Sequence, residues 1–178
     1  GNMEAADFQS MGGDSALAMF DTMGHESAAD LGGDQLAGMF GAMDGDQLHS
    51  IGGDQLFDTA GEMTQDNFLA MDSDSAFGMF DAMGSDNAMA LEGDQMAGMF
   101  GAMEHEQIGG MHGDMVFDAF ENMGTEGMMS LDGDSMAGMF DAMDAEHFLE
   151  IPGNEMFEMA GNMSGENFAA MGSDSAFG

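Results

Sequence analysis

Methionine recurs every twenty residues along the whole chain, and no insertion or deletion breaks the series. Its members are Met3, Met23, Met43, Met63, Met83, Met103, Met123, Met143 and Met163. A second apolar series keeps the same step and contains Met11, Leu31, Ile51, Met71, Leu91, Met111, Leu131, Ile151 and Met171. A fixed period of this length is typical of stacked-repeat architectures, in which each unit buries its apolar face against its neighbours.

The unbroken period predicts one continuous repeat array over residues 1–178, without separate domains. The array starts and ends inside a repeat, so we expect it to be a segment of a longer chain. Neither end carries an evident polar capping unit, and uncapped ends of a repeat array tend to associate. These features predict that copies stack end to end.

The apolar spacing within one unit is that of a helix. Leu36, Met39, Phe40 and Met43 follow the i, i+3, i+4, i+7 pattern of a single helix face. β-branched residues are scarce while Met, Ala, Leu and Gln dominate, and this composition favours helix over strand.

Each unit is predicted to contain a longer helix, over residues 34–43 in one example, and a shorter helix over residues 46–50. The predicted fold class is therefore all-α. We expect an α-solenoid of 20-residue repeats, each with a longer and a shorter helix, in about nine stacked layers.

Acidic residues mark the predicted helix starts. The longer helices begin near Asp14, Asp34, Asp54, Asp74, Asp94, Asp114, Asp134 and Asp174, with Asn154 as the exception; the shorter helices begin near Glu26, Asp46, Asp66, Asp86, Glu106, Glu126, Glu146 and Glu166. A carboxylate in the first turn faces the positive end of the helix dipole and contributes ~0.3–1 kcal/mol. Thr64 and Ser164 are predicted N-caps.

Two units exchange the position of an aromatic residue. Ala60 and Ala160 replace the usual Phe, while Phe57 and Phe157 stand three residues earlier. Three residues make about one helical turn, so we expect the ring to stay on the buried face and to conserve the core volume.

The chain has 178 residues, with no Lys or Arg against 35 Asp and Glu, and a formal net charge of −35. Nucleic acid and anionic membrane surfaces are repelled because both need basic side chains. Cations, basic proteins and mineral surfaces are attracted. We predict no membrane insertion, since no apolar run is long enough to span a bilayer. A cytosolic chain without Lys or Arg would be unusual, which favours an extracellular or cell-surface location.

Pairs of acidic residues are the candidate metal ligands. These are Asp44/Asp46, Asp72/Asp74, Asp132/Asp134 and Asp144/Glu146. Two carboxylates beside a turn suit Ca²⁺ or Mg²⁺, although the spacing is not that of an EF-hand. We expect loosely bound Ca²⁺ or other divalent cations rather than a resident cofactor, with dedicated calcium sites as an open alternative. His105 and His112, near Glu104 and Glu106, are a weaker zinc hypothesis.

Methionine pairs four residues apart, such as Met39 with Met43, suit soft metals such as Cu(I). Their phase with Phe and Leu instead predicts core packing. No unit concentrates Ser, His and Asp, and Cys, Lys, Tyr and Arg do not occur. We therefore expect no enzyme activity and assign no catalytic, cofactor-binding or metal residue.

The apolar–x–x–Asp–Gln–Leu–x–x–apolar module resembles a short helical repeat of the Leu-Thr-x-x-Gln-Ile-x-Ala-Leu kind. Such repeats occur in large bacterial surface and secreted proteins, and residues 43–51 and 103–111 carry the likeness best. The chain has Gly or an acidic residue where that pattern prefers Thr. The resemblance implies an extracellular spacer or adhesin-like role and supplies no functional residue.

The leading functional hypothesis is a non-enzymatic structural protein that forms an extracellular fibre or surface layer as a homo-oligomer. The first alternative is a repeat protein that binds divalent cations or mineral. A lower-ranked alternative is a DNA mimic that occupies basic proteins.

Overall fold

The structure, a computed structural model, describes residues 3–171. All the regular elements in this range are α-helices, and no strand occurs in it, so the all-α prediction is confirmed. The sixteen helices of residues 3–171 are α1 (Ala5–Gln9), α2 (Gly13–Met23), α3 (His25–Ala28), α4 (Gly33–Phe40), α5 (Gly45–Ser50), α6 (Gly53–Ala60), α7 (Gln65–Leu69), α8 (Ser73–Met83), α9 (Ser85–Ala88), α10 (Gly93–Ala102), α11 (His105–Gly109), α12 (Gly113–Ser130), α13 (Gly133–Ala142), α14 (Ala145–Glu150), α15 (Gly153–Asn162) and α16 (Gly165–Ala170).

Longer and shorter helices alternate along this range. The helices predicted over residues 34–43 and 46–50 are observed as α4 and α5. In α12 a longer and a shorter helix run together across a kink at Gly124. No helix of the described range is both long and apolar enough to cross a bilayer.

Most of the extensive helix contacts skip a unit, while the contact of α10 with α12 joins adjacent units. Four large contacts join a shorter helix to the longer helix two units later: α1 to α4, α5 to α8, α7 to α10, and α11 to α13. The sequence period predicted packing between adjacent units. The observed packing therefore extends further along the chain than the period alone indicates.

The interior consists of Met, Phe, Leu and Ile side chains. The methionines of the first series from Met43 to Met163 are all buried, which confirms their interpretation as core residues. Adjacent longer helices also meet through aromatic rings, since Phe20 lies 5.8 Å from Phe40 and Phe80 lies 5.4 Å from Phe100 between ring centroids. Such ring pairs contribute about 0.5–1.5 kcal/mol beyond their buried area.

The predicted aromatic exchange holds in one unit and fails in the other. Ala60 is fully buried, and Phe57 is partly buried against the core. Phe157, in contrast, is 80% exposed, so the prediction that its ring stays buried was wrong. Three residues do turn the ring to a neighbouring position on the helix, but burial also needs a helix packed over that position.

The shorter helices begin in two different ways. Most have a polar N-cap in an extended conformation, and Thr64 and Ser164 are N-caps as predicted. Three begin instead at a glycine with positive φ: Gly24, Gly84 and Gly124. Their φ and ψ values, such as 75° and 158° at Gly84, belong to a region that residues with a Cβ rarely adopt.

The residue type at the N-cap of a shorter helix correlates with the residue type 34 positions later. Where the N-cap is polar, as at Asp44 or Thr64, that later residue is a glycine, Gly78 or Gly98; where the N-cap is glycine, as at Gly84, the later residue is acidic, Asp118. Within residues 3–171 the pairs are Glu4–Gly38, Gly24–Asp58, Asp44–Gly78, Thr64–Gly98, Gly84–Asp118, Glu104–Gly138 and Gly124–Glu158.

The reason for this correlation is the distance between the two helix backbones. A Cβ at Gly98 would lie 2.6 Å from the Gln65 carbonyl oxygen, and one at Gly78 would lie 2.9 Å from the Gly45 Cα. Polar-capped short helices thus pack directly on the backbone of the later helix. Asp58, Asp118 and Glu158 are exposed. A short helix that begins at a glycine therefore leaves room for a side chain at the same repeat position of the later helix.

Candidate functional site

The first-turn acidic residues of the longer helices accept hydrogen bonds from later short helices. Nδ2 of Asn67 donates to the Asp34 carboxylate at 2.6 Å, and Nε2 of Gln107 donates to Asp74 at 3.0 Å. In all such bonds the two residues are 33 positions apart: Asp14–Gln47, Asp34–Asn67, Asp54–Asn87, Asp74–Gln107, Asp114–His147 and Asp134–Asn167. We call this set of six bonds the 33-residue ladder.

The donor of each ladder bond except Asn87 also completes the start of its own helix; the helix of Asn87 begins at Gly84 without a side-chain cap. The side-chain oxygen of Asn67, for example, accepts hydrogen bonds from the backbone nitrogen and the hydroxyl of Thr64. One amide therefore connects the N-cap of α7 to the first turn of α4. This arrangement fixes the register between helices that are far apart in sequence.

A second set of bonds joins residues that are 32 positions apart. The side chain of Gln95 donates to the Met63 carbonyl at 2.8 Å, and the Ser75 hydroxyl donates to the Met43 carbonyl at 3.1 Å. Gln95 and Ser75 are both buried. The carbonyls of Met43 and Met63, which follow the earlier longer helices, thus accept hydrogen bonds inside the packed interior, where an unpaired carbonyl would be costly.

The acidic pairs proposed as calcium ligands divide into two structural roles. Asp72 caps its own helix by accepting from the backbone nitrogen of Ser75 at 2.8 Å, whereas Asp74 is a ladder acceptor. Asp132 likewise accepts from Ser135, and Asp134 is again a ladder acceptor.

The other two pairs, Asp44/Asp46 and Asp144/Glu146, include the N-caps Asp44 and Asp144. Within residues 3–171 there is no group of three or more acidic or His side chains arranged to hold a metal ion. Binding of divalent cations therefore stays a prediction.

Several histidines pair with carboxylates of other helices. Nε2 of His49 lies 2.9 Å from Asp81, and Nε2 of His147 lies 3.1 Å from Asp114. Nε2 of His105 lies 3.7 Å from Asp141, whereas Nδ1 of His112, the N-cap of α12, lies 3.9 Å from Asp114 in the first turn of the same helix. The structure therefore directs His105 and His112, the zinc candidates, toward different carboxylates.

The best-defined of these pairs has a shifted pKa. The Gly45 carbonyl lies 2.7 Å from Nδ1 of His49 and, with Asp81 on the other ring nitrogen, raises the pKa of the imidazole above its ordinary value of 6.5. Protonated His49 donates to both oxygens. Partial desolvation lowers the pKa of His49, and this effect is smaller than that of the Gly45 carbonyl.

The methionine pairs considered for Cu(I) lie in the core. Met39, Met43, Met99 and Met103 are between 0% and 4% exposed. Buried thioethers packed among Phe and Leu fill space between helices, and this location agrees with the core interpretation.

One groove combines apolar and acidic side chains. Phe77, Phe80 and Met111 line its apolar part, and the carboxylates of Asp81 and Glu106 lie at its edge. The cavity has a volume of about 480 Å³ and passes beside Gly110. We call it the Gly110 groove. A second depression is bounded by His105, Gly109 and Asp141 and shares Glu106 and Gly110 with the groove.

Sequence reasoning missed this groove, although the sequence contained a signal for it. Gly109 and Gly110 occupy two repeat positions that have a side chain in all other units, such as Leu69 and Ala70 or Leu149 and Glu150. The paired glycines remove the side chains that would cover the space between α8 and the start of α12. This departure from the repeat is therefore the sequence feature that indicates the groove.

Comparisons with protein-family models, with curated proteins and with solved structures find no match to this chain.

Proposed function

We propose that this chain is a non-enzymatic, extracellular structural protein whose 20-residue units form an acidic α-solenoid, of about nine layers, that assembles end to end into a fibre or surface layer. The observation that carries the proposal is the 33-residue ladder. Its bonds recur from Asp14 and Gln47 to Asp134 and Asn167 with the same separation, and five of the six use a Gln or Asn amide as the donor. A contact that repeats along the chain suits an extended array better than a single active site.

The support for end-to-end assembly is an apolar surface on the last described helices. Phe157 is 80% exposed and Phe168 is 42% exposed, whereas Phe117 and Phe68, at the same repeat positions, are 9% and 0% exposed. Exposed apolar side chains at positions that are buried elsewhere in the array would be covered by further units of the same kind.

The matching surface lies on α2. Met19 and Met23 are only partly buried, although Met39 and Met43 at the same positions are 0% and 2% exposed. In α4 that face is covered by the short helix α1. A short helix of a second copy would cover the corresponding face of α2, so the interface would be head to tail and would not close on itself.

Electron microscopy and sedimentation over a range of concentrations test assembly. The expected result is rods that lengthen as concentration and salt increase, since salt screens repulsion between acidic copies. Phe157→Ser should shorten the rods, while Leu69→Ser, at an exposed apolar residue of α7, should leave them unchanged. Monodisperse short particles at all concentrations and salts would contradict assembly.

Binding of divalent cations is the second candidate function, because the net charge of −35 includes no Lys or Arg that could neutralise it. Calorimetric titration with calcium tests it. We expect uptake of about one or two ions per repeat if the acidic pairs are true ligands. Heats equal to those of buffer dilution would reject this function and leave the structural one untouched.

A further inference from the structure

The Gly110 groove has the size and lining of a site for a small ligand. Its volume of about 480 Å³ lies within the range of ligand pockets, roughly 300–1,000 Å³. Phe80 is 3% exposed and forms part of the rigid core, while Phe77 and Met115 are partly buried and present their remaining surface to the groove. The apolar part is therefore already formed.

The carboxylates at the groove favour a positively charged ligand. The carboxylates of Asp81 and Glu106 stand at its edge, and both residues are exposed. Asp81 already contacts Nε2 of His49 at 2.9 Å, so Glu106 supplies the carboxylate for the charge of a ligand. The whole chain has no Lys or Arg, so no ammonium or guanidinium group competes for Glu106. The net charge of −35 repels organic anions from the same surface.

We propose that the Gly110 groove binds a small organic cation: a primary ammonium group joined to an apolar group the size of a phenyl ring. The ring would pack against Phe77, Met111 and Met115, and the ammonium would lie at the carboxylate of Glu106. Contact between the ammonium and the face of Phe77 would add to the attraction.

Phenethylammonium is a suitable probe, and it has two matched controls. 3-Phenylpropionate keeps the ring and reverses the charge, while ethylammonium keeps the charge and removes the ring. The chain is labelled with ¹³C at the methionine methyl groups, and the spectrum is followed during titration. We expect the signals of Met111 and Met115 to shift with a Kd of about 1 mM or tighter, and we expect neither control to produce these shifts.

Two variants locate the binding. Gly110→Leu should fill the groove and weaken binding by about tenfold or more, whereas Ala70→Leu places the same side chain at the equivalent position of α7 and should have no effect. Glu106→Gln removes one carboxylate charge with little change of shape and should weaken binding about threefold at low salt. Glu146→Gln, at the equivalent first-turn position of α14, is its control.

Several results would overturn the proposal. One is an equal affinity of phenethylammonium for the original chain and for Gly110→Leu with its helix content intact, because that result would indicate general attraction to the acidic surface. Another is a shift of Met111 and Met115 by ethylammonium alone. A third is preferential binding of a basic peptide with no competition from phenethylammonium, since the groove would then be a protein interface.

Discussion

Asn67 donates a hydrogen bond of 2.6 Å to the carboxylate of Asp34, a residue 33 positions earlier in the chain. Asn67 is only 7% exposed, and the same side chain accepts hydrogen bonds at the N-cap of its own helix. The Asn67 side chain therefore stabilises both the start of its own helix and the packing of that helix on α4. The equivalent bond recurs in five further places. Its removal at one position therefore tests whether such bonds stabilise the array.

Removing Asp34 should cost more than removing Asp94. Both residues lie in the first turn of a longer helix and face its dipole in the same way. The residue 33 positions after Asp94 is Gly127, which has no side chain to donate. Asp34→Ala should therefore lower the free energy of unfolding by about 1 kcal/mol more than Asp94→Ala.

Urea unfolding followed by circular dichroism measures this difference, since the chain has no Trp or Tyr for fluorescence. A double-mutant cycle of Asp34→Ala with Asn67→Ala gives the coupling directly. Equal losses for Asp34→Ala and Asp94→Ala, with additive effects in the cycle, would show that the ladder bond contributes nothing.

The sequence predicted the local structure well because that structure depends on nearby residues. The spacing of Leu36, Met39 and Phe40 predicts a helix face, and Thr64 satisfies the backbone at a helix start only a few positions away. The burial of the recurring methionines followed from the same period. None of these inferences requires knowledge of how distant units are oriented.

The contact between units was not predicted, because a period along the chain does not fix the angle between successive units. The packing of α5 on α8 depends on the close approach of Gly45 and Gly78, which the period does not reveal. The correlation between an N-cap and the residue 34 positions later was nevertheless present in the sequence. Pairs such as Thr64 with Gly98 and Gly84 with Asp118 could have indicated which helices meet.

Gly98→Ala should destabilise the protein because a Cβ there would lie 2.6 Å from the carbonyl oxygen of Gln65. The two helices must move apart, at a cost of about 1–3 kcal/mol. Gly161→Ala is the matched control, since Gly161 lies in α15 with no atom within 4 Å of the added Cβ. That change should stabilise the helix by about 0.5–1 kcal/mol. Opposite signs in urea unfolding are expected, and a stabilising Gly98→Ala would contradict the close packing.

Thermal stability should increase with ionic strength. Thirty-five acidic residues without Lys or Arg repel one another in the folded array, and salt screens that repulsion. Raising NaCl from about 10 mM to about 500 mM, where the Debye length falls from ~30 Å to less than 10 Å, should raise Tm. Sucrose at matched osmolality controls for general exclusion effects. A Tm that does not change with NaCl would mean that the charges are already neutralised by bound ions.

The interaction of His49 with Asp81 predicts a specific dependence on pH. The pKa of His49 is raised above 6.5, mainly by the Gly45 carbonyl and further by Asp81. Its contribution to stability is therefore fully present below pH 6.5, where the unfolded state is also protonated, and is lost as pH rises through the folded-state pKa. Because the His49 side chain is 48% exposed, we expect a small contribution.

Titration of His49 followed by NMR should give a midpoint above 6.5 in the folded chain. Asp81→Asn should lower this midpoint, whereas Asp21→Asn, at the same repeat position in α2, should leave it unchanged. A midpoint that does not respond to Asp81→Asn would assign the whole shift to the Gly45 carbonyl.

Exchanging the two kinds of helix contact is the strictest test of the 34-residue correlation. Gly84→Asp supplies a polar N-cap but forces a residue with a Cβ toward φ 75°, so it should cost about 1–3 kcal/mol alone. Asp118→Gly should cost about 1 kcal/mol alone, since glycine lowers helix stability.

Gly84→Asp and Asp118→Gly together recreate the combination found at Asp44 and Gly78, in which the short helix begins in an extended conformation and packs on the later backbone. The double variant should therefore be more stable than the sum of the two losses by at least about 1 kcal/mol, as measured by urea unfolding. Gly84→Asp combined with Asp58→Gly, which belongs to a different pair, should show no such recovery. Additive losses in both combinations would mean that the correlation does not reflect a physical contact between the two positions.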